Sequence, residues 1–158
     1  MKSVRVVLLV LIAFVFLSCN SKKKNNPKTL DLLMNQWHND VATFNLDSYF
    51  NFMSDTFIFL GTAPEERWTK TEFYDFSKPF FDKKRTWDFK TNSRIWYFSD
   101  NGKMAWFEES LNTWMEECRG SGILVFKDET WKIAHYNLTV LIENEKMNDF
   151  ILLRKNNE

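Results

Sequence analysis

Glycine, proline, cysteine and histidine are all scarce in this chain: four, three, two and two among 158 residues. So little Gly and Pro rules out a collagen-like or low-complexity body. The two histidines stand 97 positions apart, and no acids cluster at ligand spacing, so no metal site is expected. There is neither a glycine-rich phosphate loop nor a nucleophile-elbow motif, and no cofactor is expected. Neither sign of charge is in excess, with 21 basic and 21 acidic residues. Nor is there an apolar run of the ~20 residues needed to span a bilayer as a helix; Val6–Leu17 stops at twelve.

That short run carries information of its own. Lys2 and Arg5 precede it and Ser18-Cys19 follows it, the order of charged, apolar and small residues found in a secretory signal peptide. Phe16-Leu17-Ser18-Cys19 resembles the bacterial lipobox, in which the cysteine is lipid-modified and becomes the new N-terminus. Phe16 departs from the Leu usual at the first position. The expectation is a signal peptide over residues 1–18, then a lipidated Cys19 and polar linker over residues 19–28. The protein would then be anchored by lipid to a membrane of the bacterial cell envelope. Cys118 is left alone, so no intramolecular disulfide is available and the core must hold the fold.

Charge is distributed unevenly. Lys22, Lys23, Lys24 and Lys28 sit in the linker, and from Thr29 onward there are 15 bases against 21 acids. An acidic body excludes nucleic acid as the expected partner, and the lysine run reads as a solvated tether beside a membrane.

What the chain has in abundance is aromatic area: sixteen Phe, seven Trp and four Tyr. That supplies a core and suits a cavity lined with flat, rigid rings. Leu30, Leu33, Met34, Trp37, His38 and Val41 follow helical spacing after a Thr29 cap. Asn45 caps a shorter helix carrying Tyr49. Asp55–Leu60 reads as a strand. Thr69 and Glu72 form a capping box for a third helix with Phe73, Phe76 and Phe80 as its buried stripe, ended or kinked near Lys78 by Pro79. Strands then dominate: Thr86–Lys90, Arg94–Ser99, Lys103–Met115, and a long hairpin over Arg119–Thr139 broken at Asp128-Glu129-Thr130. Gly120 and Gly122 suggest a bulge or bend. Strict alternation along the last strand puts Trp131, Ile133, His135, Asn137 and Thr139 on one face. Helices followed by antiparallel strands make an α+β domain, here 29–145, with 146–158 as a C-terminal extension.

Phe59-Leu60-Gly61-Thr62, Ala105-Trp106-Phe107, Arg119-Gly120-Ser121-Gly122 and Trp131-Lys132-Ile133-Ala134-His135, in that order, resemble the SnoaL-like branch of the nuclear transport factor 2-like superfamily. The chain departs from it after the last strand, with Val140-Leu141-Ile142-Glu143 in place of a Ser-Val-Pro-like exit. The resemblance implies helices on a curved, mostly antiparallel sheet enclosing a cone-shaped apolar pocket, often in a homodimer. Enzymes of the isomerase, cyclase and dehydratase kinds share this fold with plain binding proteins, so the fold alone does not choose between them.

Candidate pocket residues are Trp37, Tyr49, Thr62, Trp68, Glu108, Arg119, Ser121 and Asn137. His135 is the one candidate catalytic acid or base, since proton transfer needs a titratable group inside the apolar walls. Of the adjacent Glu108 and Glu109, one must face in and one out. The first expectation is an envelope-anchored domain binding a small apolar or amphipathic molecule. The alternatives are a cofactor-independent proton-transfer enzyme using His135, or a dimeric interaction module with a vestigial pocket.

Overall fold

The computed structural model describes residues 26–155; the expected signal peptide and Cys19 lie outside them. Helix α1 (Pro27–Ala42) begins two residues earlier than the expected Thr29 cap. Asn26 is the cap, its side chain accepting from the Lys28 amide, and Pro27 opens the helix where its missing N–H costs nothing. Leu30, Met34, Trp37, His38 and Val41 form the buried stripe, as their spacing predicts. Helix α2 (Leu46–Asn51) is capped by Asn45 and presents Tyr49 and Phe50 to the core.

Strand β1 (Met53–Leu60) and the short β2 (Arg67–Thr69) lead into α3 (Lys70–Asp82). The Thr69–Glu72 capping box is present in both directions. For α3 the expected buried stripe is corrected, and of the two outcomes expected at Pro79, an end or a kink, the end is corrected. Its buried residues are Phe73, Ser77 and Phe81, while Phe76 and Phe80 are each 40% exposed. The helix also continues through Pro79 to Asp82, because Phe81 packs against Tyr49, Phe50 and Trp87 and holds the last turn in place.

The stretch from Thr86 to Phe89 is irregular rather than a strand, and β3 runs Lys90–Phe98. It is followed by β4 (Met104–Thr113), β5 (Glu116–Lys127) and β6 (Thr130–Val140). Asp128 and Glu129 both take positive φ, 49° and 60°, the geometry that matches a two-residue hairpin to the twist of its strands. A 3-10 turn (Asn144–Lys146) and an exposed helix α4 (Met147–Lys155) end the described chain.

The six strands form one sheet in the order β2-β1-β6-β5-β4-β3, antiparallel throughout except where β1 runs parallel to β6. The three N-terminal helices cover one face, α1 reaching β3 and α3 lying on β1 and β2. Between them and the sheet lies an aromatic core in which Trp37 stacks on Tyr49 at 4.9 Å and Phe59 on Phe73 at 4.2 Å. Among the described residues, no helix is long and apolar enough to cross a membrane.

Register settles the faces of the sheet. Ile123 pairs with His135 but Leu124 pairs with Ile133, so Ala134 is an extra residue in β6. A bulge shifts the alternation by one. Trp131 and Ile133 face the helices, and beyond the bulge Tyr136 and Leu138 do. The expectation that His135 and Asn137 share the face of Trp131 and Ile133 is therefore corrected: both lie on the opposite, outer face. Gly120 and Gly122 are not the bulge. They face inward, where a Cβ on Gly120 would lie 2.8 Å from Glu109 Cγ and one on Gly122 2.7 Å from the Phe107 ring. Glycine is needed there for close approach.

Candidate functional site

Two groups of side chains lie between helices and sheet, and Tyr136 touches both. The first is an apolar cavity of about 130 Å³. Phe59 of β1, Trp68 of β2, Phe73 and Phe76 of α3 and Leu138 of β6 form its wall. Trp87 and Phe89 reach it from the irregular segment after α3, and Trp114 and Met115 from the β4–β5 turn. The rings on the α3 side lie nearly parallel: Trp68 stacks on Phe76 at 4.3 Å with 23° between planes, and Phe73 and Phe76 are within 13°. Trp114 is 79% exposed and stands at the mouth. Thr62 and Trp68, two of the candidate pocket residues, are on this wall, and among the described residues Glu66 is the one ionisable side chain on it. Glu66 is tied to the loop, accepting from the Ala63 amide at 3.1 Å.

The second group surrounds Glu109, which is 2% exposed. Its Oε1 accepts from His38 Nε2 at 2.9 Å and from the Tyr136 hydroxyl at 2.7 Å. Its Oε2 accepts from Arg94 Nε at 2.9 Å and Nη2 at 2.7 Å, with Thr91 Oγ1 at 3.4 Å. Arg94 in turn reaches Asp31 Oδ1 at 3.1 Å, and Trp96 Nε1 donates to the same oxygen at 2.8 Å. Burial pushes the Glu109 carboxyl up. The charge and hydrogen bond of His38, the Arg94 guanidinium and the Tyr136 hydroxyl outweigh it and bring the pKa to about 2. Burial, reinforced by Glu109, raises the Tyr136 phenol well above its ordinary value and keeps it a neutral donor.

Chemically, this carboxylate is spent. Its acceptor positions are filled by donors from α1, β3 and β6, so it fastens three elements to β4 and has none left for a ligand. Of the adjacent pair, Glu109 is the inward one and Glu108 is exposed on the outer face. Glu108 therefore does not line the aromatic cavity; with Arg119 it lines a separate cleft of about 150 Å³.

The other candidate residues are dispersed. Trp37 and Tyr49 are 2% and 1% exposed and belong to the packed core, the Trp37 indole donating to the Tyr49 carbonyl at 3.2 Å. Arg119, Ser121 and Asn137 occupy the outer face, where Glu108, Ser121 and Asn137 are cross-strand neighbours. His135 is half-buried on that same face, in a row with Ile58, Ile123, Trp106 and Tyr97. Its pKa is lowered by burial and then by the Arg67 charge. Cys118 is buried and free. Among the described residues, no three His, Cys, Asp or Glu side chains are grouped to hold a metal ion.

Sequence reasoning did not single out Glu109, Tyr136 and Arg94 as a unit. The adjacent glutamates were the available signal, since alternation forces one of them inward, but the partners come from strands far apart in the chain.

An α+β chain with helices over one face of a six-stranded mixed sheet, and a cavity between the layers, defines the class. The family follows from sequence: residues 31–143 match the SnoaL-like domain, and the chain belongs to that family. Solved structures agree on the fold. A nuclear transport factor 2-like protein from Pseudomonas putida KT2440 superposes with a TM-score of 0.63 at 9% identity, covering 75% of this chain and 89% of its own. A candidate scytalone dehydratase from Novosphingobium aromaticivorans gives 0.60 at 9% identity, over 73% of this chain and 83% of its own. A candidate ketosteroid isomerase from Parabacteroides distasonis gives 0.59 at 12%, over 74% and 89%. No curated protein matches. At these identities the solved structures speak to fold alone.

Proposed function

We propose that this chain is a small-molecule-binding protein whose cavity takes one apolar or amphipathic ligand, without catalysing its conversion. The observation that carries this reading is the wall of near-parallel rings around about 130 Å³, close to the engineered cavity of about 150 Å³ that holds a benzene. One ring or a short acyl segment fits inside, and a polar end projects past Trp114. A proton-transfer enzyme would need an unpaired acid or base within reach of that ligand. Glu109 is saturated, His135 is on the other face, and the carboxylate of Glu66 on the cavity wall is held to its own loop by the Ala63 amide, which argues against the isomerase and dehydratase readings that two of the fold relatives' descriptions suggest.

Titration with phenol and with hexanoate, followed by tryptophan fluorescence, tests this. Saturable quenching is expected, weakened at least tenfold by Phe76→Ala or Trp114→Ala. Binding that neither substitution alters would sink the proposal.

The binding domain is further proposed to be tethered to the bacterial envelope through Cys19, supported by the charged, apolar and small-residue order of residues 1–19. Cys19→Ala should release the mature protein from membranes; equal membrane retention after signal cleavage would reject the tether. A homodimer through the outer sheet face completes the proposal. Tyr97 and Trp106 stack there at 5.7 Å, and Ile95, Tyr97 and Trp106 are 53%, 42% and 40% exposed. Trp106→Glu should turn a dimer into a monomer in native mass spectrometry, and a monomeric parent protein would refute it.

A further inference from the structure

A second cavity, which shares Phe89 with the aromatic one, remains unexplained by that function. It measures about 290 Å³ and lies between α1 and the start of β3. Asn35, His38 and Asn39 of α1 line it, facing Asp88, Phe89 and Lys90. Phe89 lines both cavities.

The character of this wall is polar but electrically balanced. Lys90 Nζ is 2.7 Å from Asp88 Oδ1, and behind the wall Arg94 neutralises Glu109. Asn35 Oδ1 accepts from Arg94 Nη1 at 3.1 Å, and its amide N–H groups have no protein partner among the described residues. Asn39 is exposed and its side-chain amide has no protein partner among the described residues.

His38 is the telling residue, because it is 94% buried by its 6% exposure yet lines the cleft. A carboxylate can only accept, so the ring nitrogen at Glu109, Nε2, must carry its proton. The other nitrogen, Nδ1, has no hydrogen bond to any described residue, and it is not among the sealed, unsatisfied polar atoms. It therefore opens to the cleft. Nδ1 offers a lone pair when the ring is neutral and an N–H when it is protonated. A hydroxyl group is the neutral partner that satisfies both states, since it donates and accepts.

We propose that the cleft formed by Asn35, His38, Asn39 and the Asp88–Lys90 segment binds a neutral polyhydroxylated molecule of monosaccharide size, one hydroxyl of which bonds His38 Nδ1. The balanced charges disfavour an ion. The amide and carboxylate groups suit adjacent hydroxyls, and Phe89 gives the ligand's C–H face an apolar floor. The site is independent of the aromatic cavity.

The test is titration of the full mature chain with D-glucose, D-galactose and myo-inositol, with glycerol 3-phosphate as the anionic comparison. The ring nitrogens of His38 and the indole of Trp114 are followed by NMR. A saturable shift of His38 Nδ1 with at least one of the three polyols, Trp114 staying put, is expected. Asn39→Leu, an exposed position whose loss spares the core, should weaken that binding at least tenfold; His38→Gln, which also breaks the Glu109 contact, serves only as a second variant. Silence at His38 with every polyol, a response to glycerol 3-phosphate alone, a Trp114 shift equal to that of His38, or unchanged binding in Asn39→Leu each overturns the proposal.

Discussion

Glu109→Gln is the substitution on which the structural reasoning is most exposed. The amide keeps the shape of the side chain but has only one acceptor oxygen. Whichever way it turns, its NH₂ meets donors: Arg94 on one side, or His38 and Tyr136 on the other. Arg94, whose side chain is 3% exposed, is left with Asp31 as its remaining acid, itself 40% exposed. Removing one partner from a buried ion pair costs roughly 3–5 kcal/mol. For a domain of this length that corresponds to a fall in Tm of roughly 10–15 °C. The pH dependence gives a second estimate. The Glu109 carboxyl is depressed from 4.5 to about 2 on folding, so its contribution is complete above about pH 4.5 and lost as the pH falls towards 2. That shift amounts to about 3 kcal/mol, in line with the lower end of the mutational figure. Urea unfolding of the parent, Glu109→Gln and Glu108→Gln proteins at pH 7, 4 and 2.5 measures both. The expected result is a large Glu109→Gln deficit at pH 7 that shrinks towards pH 2.5, with Glu108→Gln within about 0.5 kcal/mol of the parent. A Glu109→Gln protein as stable as the parent at pH 7, or a deficit that does not narrow in acid, would refute the network as described.

Two further outcomes follow from the sheet. Gly120→Ala places a methyl group against Tyr136 Oη and 2.8 Å from Glu109 Cγ, and should cost about 1–3 kcal/mol by overpacking, read from the same urea curves; a neutral Gly120→Ala would mean the inner face has room to spare. His135, shifted down by burial and by Arg67, should titrate in NMR below the ordinary histidine value, and Arg67→Ala should move it back upward. Because its folded pKa is depressed, this group favours the folded state above the unfolded pKa, and that contribution falls away as pH drops through the folded value. A His135 that titrates above 6.5 would place it in different surroundings from those described.

Much of this protein is local and so was readable from the chain alone. The α1 stripe from Leu30 to Val41, the Asn45 cap, the Thr69–Glu72 capping box and the Asp128-Glu129 hairpin each depend on residues a few positions apart. Side-chain spacing and capping chemistry fix them before any tertiary contact forms. The α+β class followed from their order. What the sequence could not decide is which face of each strand is inside. One extra residue, Ala134, reverses the alternation of β6, moving His135 and Asn137 out and Tyr136 and Leu138 in. Nothing local marks Ala134 as extra; it shows only in the register of β6 against β5. The length of α3 beyond Pro79 was settled in the same way, by the distant rings that hold Phe81. Glu109 makes the point most sharply. Its neighbour has the same side chain and the same charge, yet only the tertiary structure brings His38, Arg94 and Tyr136 around one of the two and leaves the other in water.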